Sequence, residues 1–338
     1  MRYLRIAGIL LVLFNINFCL FGQEKPLYSQ YMFNTFLINP AAAGSEGFTS
    51  FNFTSREQWL GIPNSPKTNS ISAQTRVLKN SFIAKALNLR KKFSRRSKSG
   101  RVGVGAHIYN DLSGPISKTG MQLAYAYHIP LRQSQLSFGL ALETYNFHFN
   151  SDKAVFQDNS DPLNHSFNKF VLDGDFGAQF TTPFLYTGLA VSDLFQSNLR
   201  LYQTSLPNSD SIQGNSSLNV KFGRTYWLTG GYKIELNRFF MLEPSTLIKI
   251  SELGAFQIDL TTRAYYREDY WFGLSYRNGA YGGSIIFLSG VRVGKYYFGY
   301  SFDLTLAPIM KHTFGSHEFM ISIKFGENAR RYRWLNRY

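Results

Sequence analysis

From about residue 48 to residue 325 the chain runs in stretches of about ten residues in which every second one is apolar. His317-Glu318-Phe319-Met320-Ile321-Ser322-Ile323-Lys324-Phe325 shows it, with Phe319, Ile321, Ile323 and Phe325 on one face and mostly polar groups on the other. Side chains of a strand point alternately to opposite faces, so these runs predict a two-faced antiparallel sheet, not a buried parallel one. A soluble sandwich would alternate as well. The deciding question is whether the apolar face looks into a core or into lipid.

The N-terminus bears on the compartment. Arg2 and Arg5 precede a short apolar stretch, residues 6–21, interrupted by Asn15 and Asn17. It is too short and too interrupted for a membrane-spanning helix but suits a secretory signal, with a cut after Gly22 leaving Gln23 first. A lipoprotein signal through Cys19 is the alternative, and the bulky Phe18 before it argues against that. Cys19 is the only cysteine, so disulfides and thiolate metal sites are excluded from the mature chain. The histidines (His107, His128, His148, His165, His312 and His317) are scattered without ligand spacing, and no metal or cofactor is expected.

Mean hydropathy is only −0.18, yet aromatic residues reach 17%, with 21 Tyr and 31 Phe. A lipid-embedded barrel combines these traits, because half of each strand faces a polar lumen and aromatic girdles sit at both interfaces. Alternation places about fourteen strands, within bounds of roughly 12 to 16. They centre on 48–56, 68–78, 101–110, 119–129, 135–146, 171–181, 184–192, 224–234, 239–250, 256–266, 270–277, 281–288, 293–303 and 316–325.

The connections sort by parity. Counting from a periplasmic N-terminus, tight turns fall at 130–134, 182–183, 235–238, 267–269 and 289–292. The opposite side carries the long polar stretches 147–170 and 193–223. Short periplasmic turns and long outer loops are the asymmetry of outer-membrane barrels, and a sandwich has no reason to sort its loops this way. The predicted fold is therefore all-β: a transmembrane antiparallel up-and-down β-barrel over residues 48–325, located in the outer membrane.

Residues 79–100 break the pattern, because a tight periplasmic turn belongs there. Phe82, Ile83, Ala86, Leu87 and Leu89 make an approximate helical stripe, which predicts a basic, helical periplasmic insertion. From Lys85 to Arg101 there are eight cations, Lys85, Arg90, Lys91, Lys92, Arg95, Arg96, Lys98 and Arg101, and no acidic residue. A C-terminal tail, residues 326–338, adds Arg330, Arg331, Arg333 and Arg337 against Glu327. Removing Arg2 and Arg5 with the signal lowers the formal charge from +15 to +13, of which the insertion supplies eight and the tail three. The readings left open are a solvated face, contact with anionic headgroups of outer-membrane lipid in the inner leaflet, and contact with an acidic periplasmic partner. A nucleic-acid partner is excluded by the compartment despite the basic charge.

Facing follows from the same alternation. Val102, Val104, Ala106 and Ile108 should meet lipid while Gly103, Gly105, His107 and Tyr109 point inward. Leu136, Phe138, Leu140 and Leu142 face out, with Ser137, Gly139 and Glu143 in. Ile258 and Leu260 face out, with Gln257, Asp259, Thr261 and Arg263 in. Phe298, Tyr300 and Phe302 face out, with Gly299, Ser301 and Asp303 in. The lumen should then hold carboxylates and at least one arginine, read most simply as an internal network and not as a transport path. Catalytic signatures are missing: there is no G-x-S-x-G elbow, H-E-x-x-H, Walker loop or G-x-G-x-x-G. No enzyme is expected.

The segment before the first strand is the most distinctive local motif. Tyr28-Ser29-Gln30-Tyr31-Met32-Phe33-Asn34 leads into Asn39-Pro40-Ala41-Ala42-Ala43-Gly44-Ser45, and Arg56-Glu57-Gln58-Trp59 and Gly61 follow. Together with Tyr125-Ala126-Tyr127, Trp271-Phe272-Gly273-Leu274-Ser275-Tyr276-Arg277, Gly299-Tyr300-Ser301-Phe302-Asp303 and Gly315-Ser316-His317-Glu318, this resembles the PorP/SprF family of Bacteroidetes outer-membrane proteins. Phe325 resembles the terminal aromatic by which outer-membrane strands are recognised for insertion. The basic insertion and the Arg-rich tail depart from the family pattern.

The resemblance implies a non-enzymatic accessory component of the type IX secretion system. Its partners would be a secreted cargo's C-terminal domain, such as that of a gliding adhesin, and periplasmic secretion components. Gln30, Tyr31, Asn34, Asn39, Pro40, Ala41, Gly44, Arg56 and Trp59 carry the motif and are its candidate partner-binding residues. Asn39-Pro40 reads as a turn, and the small residues from Ala41 to Gly44 suit close backbone packing. Residues 28–44 are expected to fold against or into the periplasmic mouth, with a merely tethered extension as the alternative. A porin or substrate-specific diffusion channel is the alternative function.

Overall fold

The computed structural model describes residues 25–26, 28–77, 101–131, 133–154, 156, 165–203, 217–221, 223–279 and 282–325. The signal peptide, the basic residues from Lys85 to Lys98 and the tail arginines Arg330, Arg331 and Arg333 lie outside the described residues, as does the predicted helical insertion.

In chain order the strands are β1 Thr49–Glu57, β2 Lys67–Val77, β3 Val102–Ser113, β4 Ile116–Pro130, β5 Gln135–Phe149, β6 Phe167–Thr181, β7 Leu185–Ser192, β8 Asn198–Gln203, β9 Ser217–Lys221, β10 Thr225–Tyr232, β11 Ile234–Glu235, β12 Phe240–Ser251, β13 Phe256–Tyr266, β14 Tyr270–Gly279, β15 Gly282–Val293, β16 Tyr296–Thr305 and β17 Ser316–Phe325. Fourteen of them form one antiparallel ring in sequence order, with the two-residue β11 continuing β10. The ring closes where β1 pairs with β17, Thr49 opposite Phe325. Closure leaves no edge strand in the ring among the described residues, which is how a sheet meets the demand of hydrocarbon for paired backbone groups.

Facing agrees with the alternation. Ile108, Leu140, Leu260 and Phe298 are exposed on the outer surface, while His107, Ser137, Asp259, Arg263, Ser301 and Asp303 are buried inside. The usual inside-out relation of a soluble protein is reversed, because the solvent around the wall is lipid.

Two expectations need correction. The turn expected at 289–292 is strand: β15 and β16 meet two residues later, at Gly294 and Lys295, where Gly294 takes φ 61°. Ser289-Gly290 looked like a turn, but Gly290 is needed flat in the sheet. A Cβ there would lie 2.1 Å from the Trp271 indole. The second correction lies within 193–223, read as loop, where β8 and β9 pair as a separate two-stranded hairpin.

Both β1 and β17 have their free ends at the same rim, here the terminal rim, together with the short connections β4–β5, β6–β7, β13–β14 and β15–β16. The opposite rim, here the long-loop rim, carries the connection holding β8 and β9.

Candidate functional site

Residues 28–43 lie inside the barrel. Three single 3-10 turns, Tyr31–Phe33, Thr35–Leu37 and Pro40–Ala42, fold this segment into a compact strap that runs along the lumen. It runs from the long-loop rim towards the terminal rim: Ser29 meets Glu318 near the start of β17, and Gly44 meets Gln74 near the end of β2.

At its upper end the strap is held by charge. The Ser29 and Gln30 amides donate to the two oxygens of Glu318 at 2.7 and 2.9 Å. Ser29 Oγ donates to Asp303 Oδ2 at 2.8 Å and accepts from Arg56 Nη1 at 2.7 Å. Arg56 Nη2 pairs with Asp303 at 2.7 Å, and Arg277 forks onto Asp259 with Nη2 to Oδ2 at 2.7 Å. Arg277 Nη2 also donates to the Tyr28 carbonyl at 3.3 Å. These five ionised groups are almost fully buried, so each needs its partners to offset desolvation.

Below this network, aromatic packing takes over. The Arg263 guanidinium lies 4.6 Å from the Phe33 ring centroid and pairs with Glu243 at 2.6 Å. Phe33 in turn sits 4.7 Å from Trp271. Tyr31 and Ile38 pack with Ala190, Trp227 and Leu247 of the wall.

At the terminal rim the fit is one of shape. Asn39 caps the last 3-10 turn, its Oδ1 accepting from the Ala41 amide at 2.9 Å, and Pro40 fills the first position with its preset φ. The Asn39 amide donates into the wall backbone at Ala178 and Leu189, 3.1 and 3.3 Å away. The inward positions beneath are glycines. A Cβ on Gly139 would lie 2.3 Å from Ala41 N, one on Gly177 2.0 Å from Asn39 Oδ1, and one on Gly103 1.9 Å from the Ala43 carbonyl oxygen. Inward glycine is therefore what lets strap backbone touch wall backbone.

Lys25 Nζ reaches Glu143 at 2.8 Å and Asp193 at 3.1 Å. Burial would lower its pKa, but Asp193, Glu143 and Asp175 outweigh that and hold it well above the ordinary lysine range. Beside it lies a cavity of about 40 Å³ lined by Lys25, Tyr28, His107, Gln122, Glu143 and Trp227 among others. That is room for a few waters, not for a diffusing solute.

A family model described as type IX secretion system membrane protein PorP/SprF matches residues 20–323. The chain belongs to the PorP/SprF family. Among solved structures, the Ralstonia pickettii toluene transporter TbuX superposes with TM-score 0.50 at 10% identity, covering 86% of this chain and 92% of its own. Acinetobacter baumannii Omp33 gives TM-score 0.43 at 7% identity, covering 83% and 99%. At such identity the likeness to TbuX is one of fold. No curated protein matches in sequence. This PorP/SprF chain is thus an outer-membrane β-barrel of the type IX secretion system, in a family of secretion components and not of enzymes.

The structure gathers most of the PorP/SprF motif in one place. Gln30, Tyr31, Asn34, Asn39, Pro40 and Ala41 are buried in the lumen, with Asn34 donating to Ser72 Oγ at 2.8 Å. Gly44 adopts φ 64°, which glycine tolerates, and its amide donates to Gln74 at 3.1 Å. Arg56 joins the charged network from β1.

Trp59 stands apart in the 58–66 connection at the long-loop rim, with φ 55°. A bulky residue held there costs on the order of 1–3 kcal/mol. Arg101 stays at the terminal rim, 3.4 Å from the Tyr127 hydroxyl. Arg277 and Glu318 end two of the segments that carry the resemblance but are not among the candidate binding residues, and the structure makes them anchors of the strap. Inward parity on β14 and β17 was the signal that could have found them.

Proposed function

We propose that this barrel serves type IX secretion as a binding and anchoring module and not as a pore. It would hold the C-terminal domain of a secreted cargo, such as a gliding adhesin, together with periplasmic secretion components. The observation that carries the reading is the occupied lumen, in which the strap is bonded to opposite walls by charge above and by backbone contact below. An open channel has no use for a buried Ser29–Asp303–Arg56–Glu318 network that fixes a segment inside its bore. Its tight turns and chain ends orient the terminal rim to the periplasm. The basic residues from Lys85 to Arg101 and Arg330, Arg331 and Arg333 then face periplasmic partners or inner-leaflet headgroups. The buried motif residues act by holding the strap, and a partner would read the shape that results.

Two measurements test this. In planar bilayers the purified protein should conduct poorly, and affinity purification from native membranes should bring down secretion components with a large adhesin. Steady porin-like conductance without co-purifying secretion components would favour the diffusion-channel reading instead.

A further inference from the structure

The connections between β1 and β2 and between β16 and β17, residues 58–66 and 306–315, rise from the long-loop rim and are hydrogen-bonded to each other. The Leu60 amide donates to the Gly315 carbonyl and the Phe314 amide to the Leu60 carbonyl, each at 2.8 Å. The Trp59 amide donates to Ser316 Oγ at 3.1 Å, and the Gly114 amide ties the β3–β4 turn to the Asn64 carbonyl. This ledge is braced on three sides, and it exposes large apolar side chains: Phe314 at 77%, Leu306 at 48%, Met310 at 46% and Leu60 at 37%.

Lipid does not account for that exposure. Phe51, Phe53, Ile71, Phe319 and Ile321 form the outward apolar band on β1, β2 and β17. Between this band and the ledge, the same outward faces carry polar groups. Ser55 Oγ donates to Asn69 Oδ1 at 2.7 Å, and one rung higher Lys67 and Glu57 form an exposed ion pair at 2.7 Å. His317 sits at the corresponding height on β17, opposite Glu57. On β1, β2 and β17 we read these charged and amide groups as the headgroup level, which sets the ledge beyond it. An exposed apolar cluster there, on a braced scaffold, is the signature of a protein-docking surface. Charge selects the occupant. Neither connection contains a carboxylate, and Lys311 and His312 flank the cluster as exposed bases.

We propose that residues 58–66 and 306–315 form an outward-facing docking ledge for a protein whose apolar patch is rimmed by carboxylates. This goes beyond the function proposed above and stands independently of it, since the strap and the lumen play no part. Phe314 and Met310 would enter the partner's apolar patch, Lys311 would meet its acidic rim, and the Trp59 backbone would hold Leu60 in place.

The test is site-specific photo-crosslinking on intact cells. A photoreactive phenylalanine analogue is placed at position 314, at position 310 as a second site, and at position 319 in the lipid band as control. Adducts are identified by mass spectrometry of the linked peptides, and barrel folding is checked by heat-modifiable gel migration. The expected result is one protein species linked from both 314 and 310 but not from 319, through a peptide carrying Asp or Glu beside apolar residues. Lys311→Glu should lower its yield about tenfold or more, because like charges then face each other. Adducts only to glycolipid, no adduct from either site in a folded barrel, many unrelated proteins, or a yield indifferent to Lys311→Glu would each overturn the proposal.

Discussion

At one end of the lumen, Ser29 and Gln30 give their amide protons to Glu318, and two arginines and two aspartates close around them. At the other, Ala41 and Ala43 lie against bare strand backbone at Gly139 and Gly103. The upper contact is strong because each buried charge faces an opposite one, although Arg56 Nε and Asp303 Oδ1 have no hydrogen-bond partner among the described residues, and it fails when one member of a pair is removed. The lower contact has little charge to lose and fails when volume is added. A single strap is thus secured by two mechanisms with different weaknesses, so a change of either kind should loosen one end before the other.

The largest effect is expected from Arg277→Met. It removes the fork onto Asp259 and the donor to the Tyr28 carbonyl, leaving buried carboxylates underpaired at a cost of about 3–5 kcal/mol. Denaturant unfolding in liposomes should register the loss. The single native cysteine, Cys19, lies outside the strap, so maleimide labelling of Ala42→Cys can report whether the lower end stays seated. If label enters at position 42 as readily as at Gln30→Cys, which keeps the backbone donor to Glu318, the two ends are not separate.

Glycine substitutions sharpen the contrast. Gly139→Val and Gly299→Val both place a Cβ 2.3 Å from a strap atom. In the first case that atom is the Ala41 backbone nitrogen, in the second the tip of the Gln30 side chain. Backbone cannot step aside, so Gly139→Val should cost about 1–3 kcal/mol and expose position 42 to label. Gly299→Val should be much milder. Equal penalties would mean that the strap yields as one soft body.

Asn39→Ala comes next. It removes the cap on the Ala41 amide and two donations into the wall at Ala178 and Leu189, for about 1–2 kcal/mol. Labelling at position 42 should rise while labelling at Gln30→Cys stays low.

How far this was readable in advance follows from the same contrast. Strand parity is a period-two signal, so it put Asp259, Arg263 and Asp303 inside the barrel without knowledge of their partners. The strap has no period. Three single 3-10 turns leave only Asn39-Pro40 and the alanines as a local trace, which suggested close packing near the mouth but not passage along the lumen. Its complement is spread over β3, β5, β6 and β16 as Gly103, Gly139, Gly177 and Gly299, each unremarkable in its own strand. Only strand register brings them under one segment. Gly290 misled for the same reason, since the Trp271 ring that requires it comes from a neighbouring strand. The apolar ledge was hidden because loop residues carry no facing rule, and Trp59 was noticed only as part of a motif.

The smallest effect concerns Lys25, and it separates the charged end by pH. Burial lowers the lysine's pKa, but the carboxylates of Asp193, Glu143 and Asp175 raise it further, leaving it well above the ordinary value of 10.5. A cation whose folded pKa is raised contributes stability that is complete below its unfolded pKa and is lost as pH climbs through the folded one. The Lys25 contact should therefore be unchanged between about pH 7 and 10 and should weaken only above that range. Lys25→Gln removes the charge at every pH, for about 1–2 kcal/mol, because Glu143 and Asp193 are buried but the glutamine amide can still donate to one of them. Labelling at Gln30→Cys should rise modestly in Lys25→Gln and show no step between neutral pH and about pH 10 in the parent. A step within that range in the parent would mean that the contact is held by something other than the ammonium. The lower end, with Ala41 and Ala43 on Gly139 and Gly103, should not respond to either change.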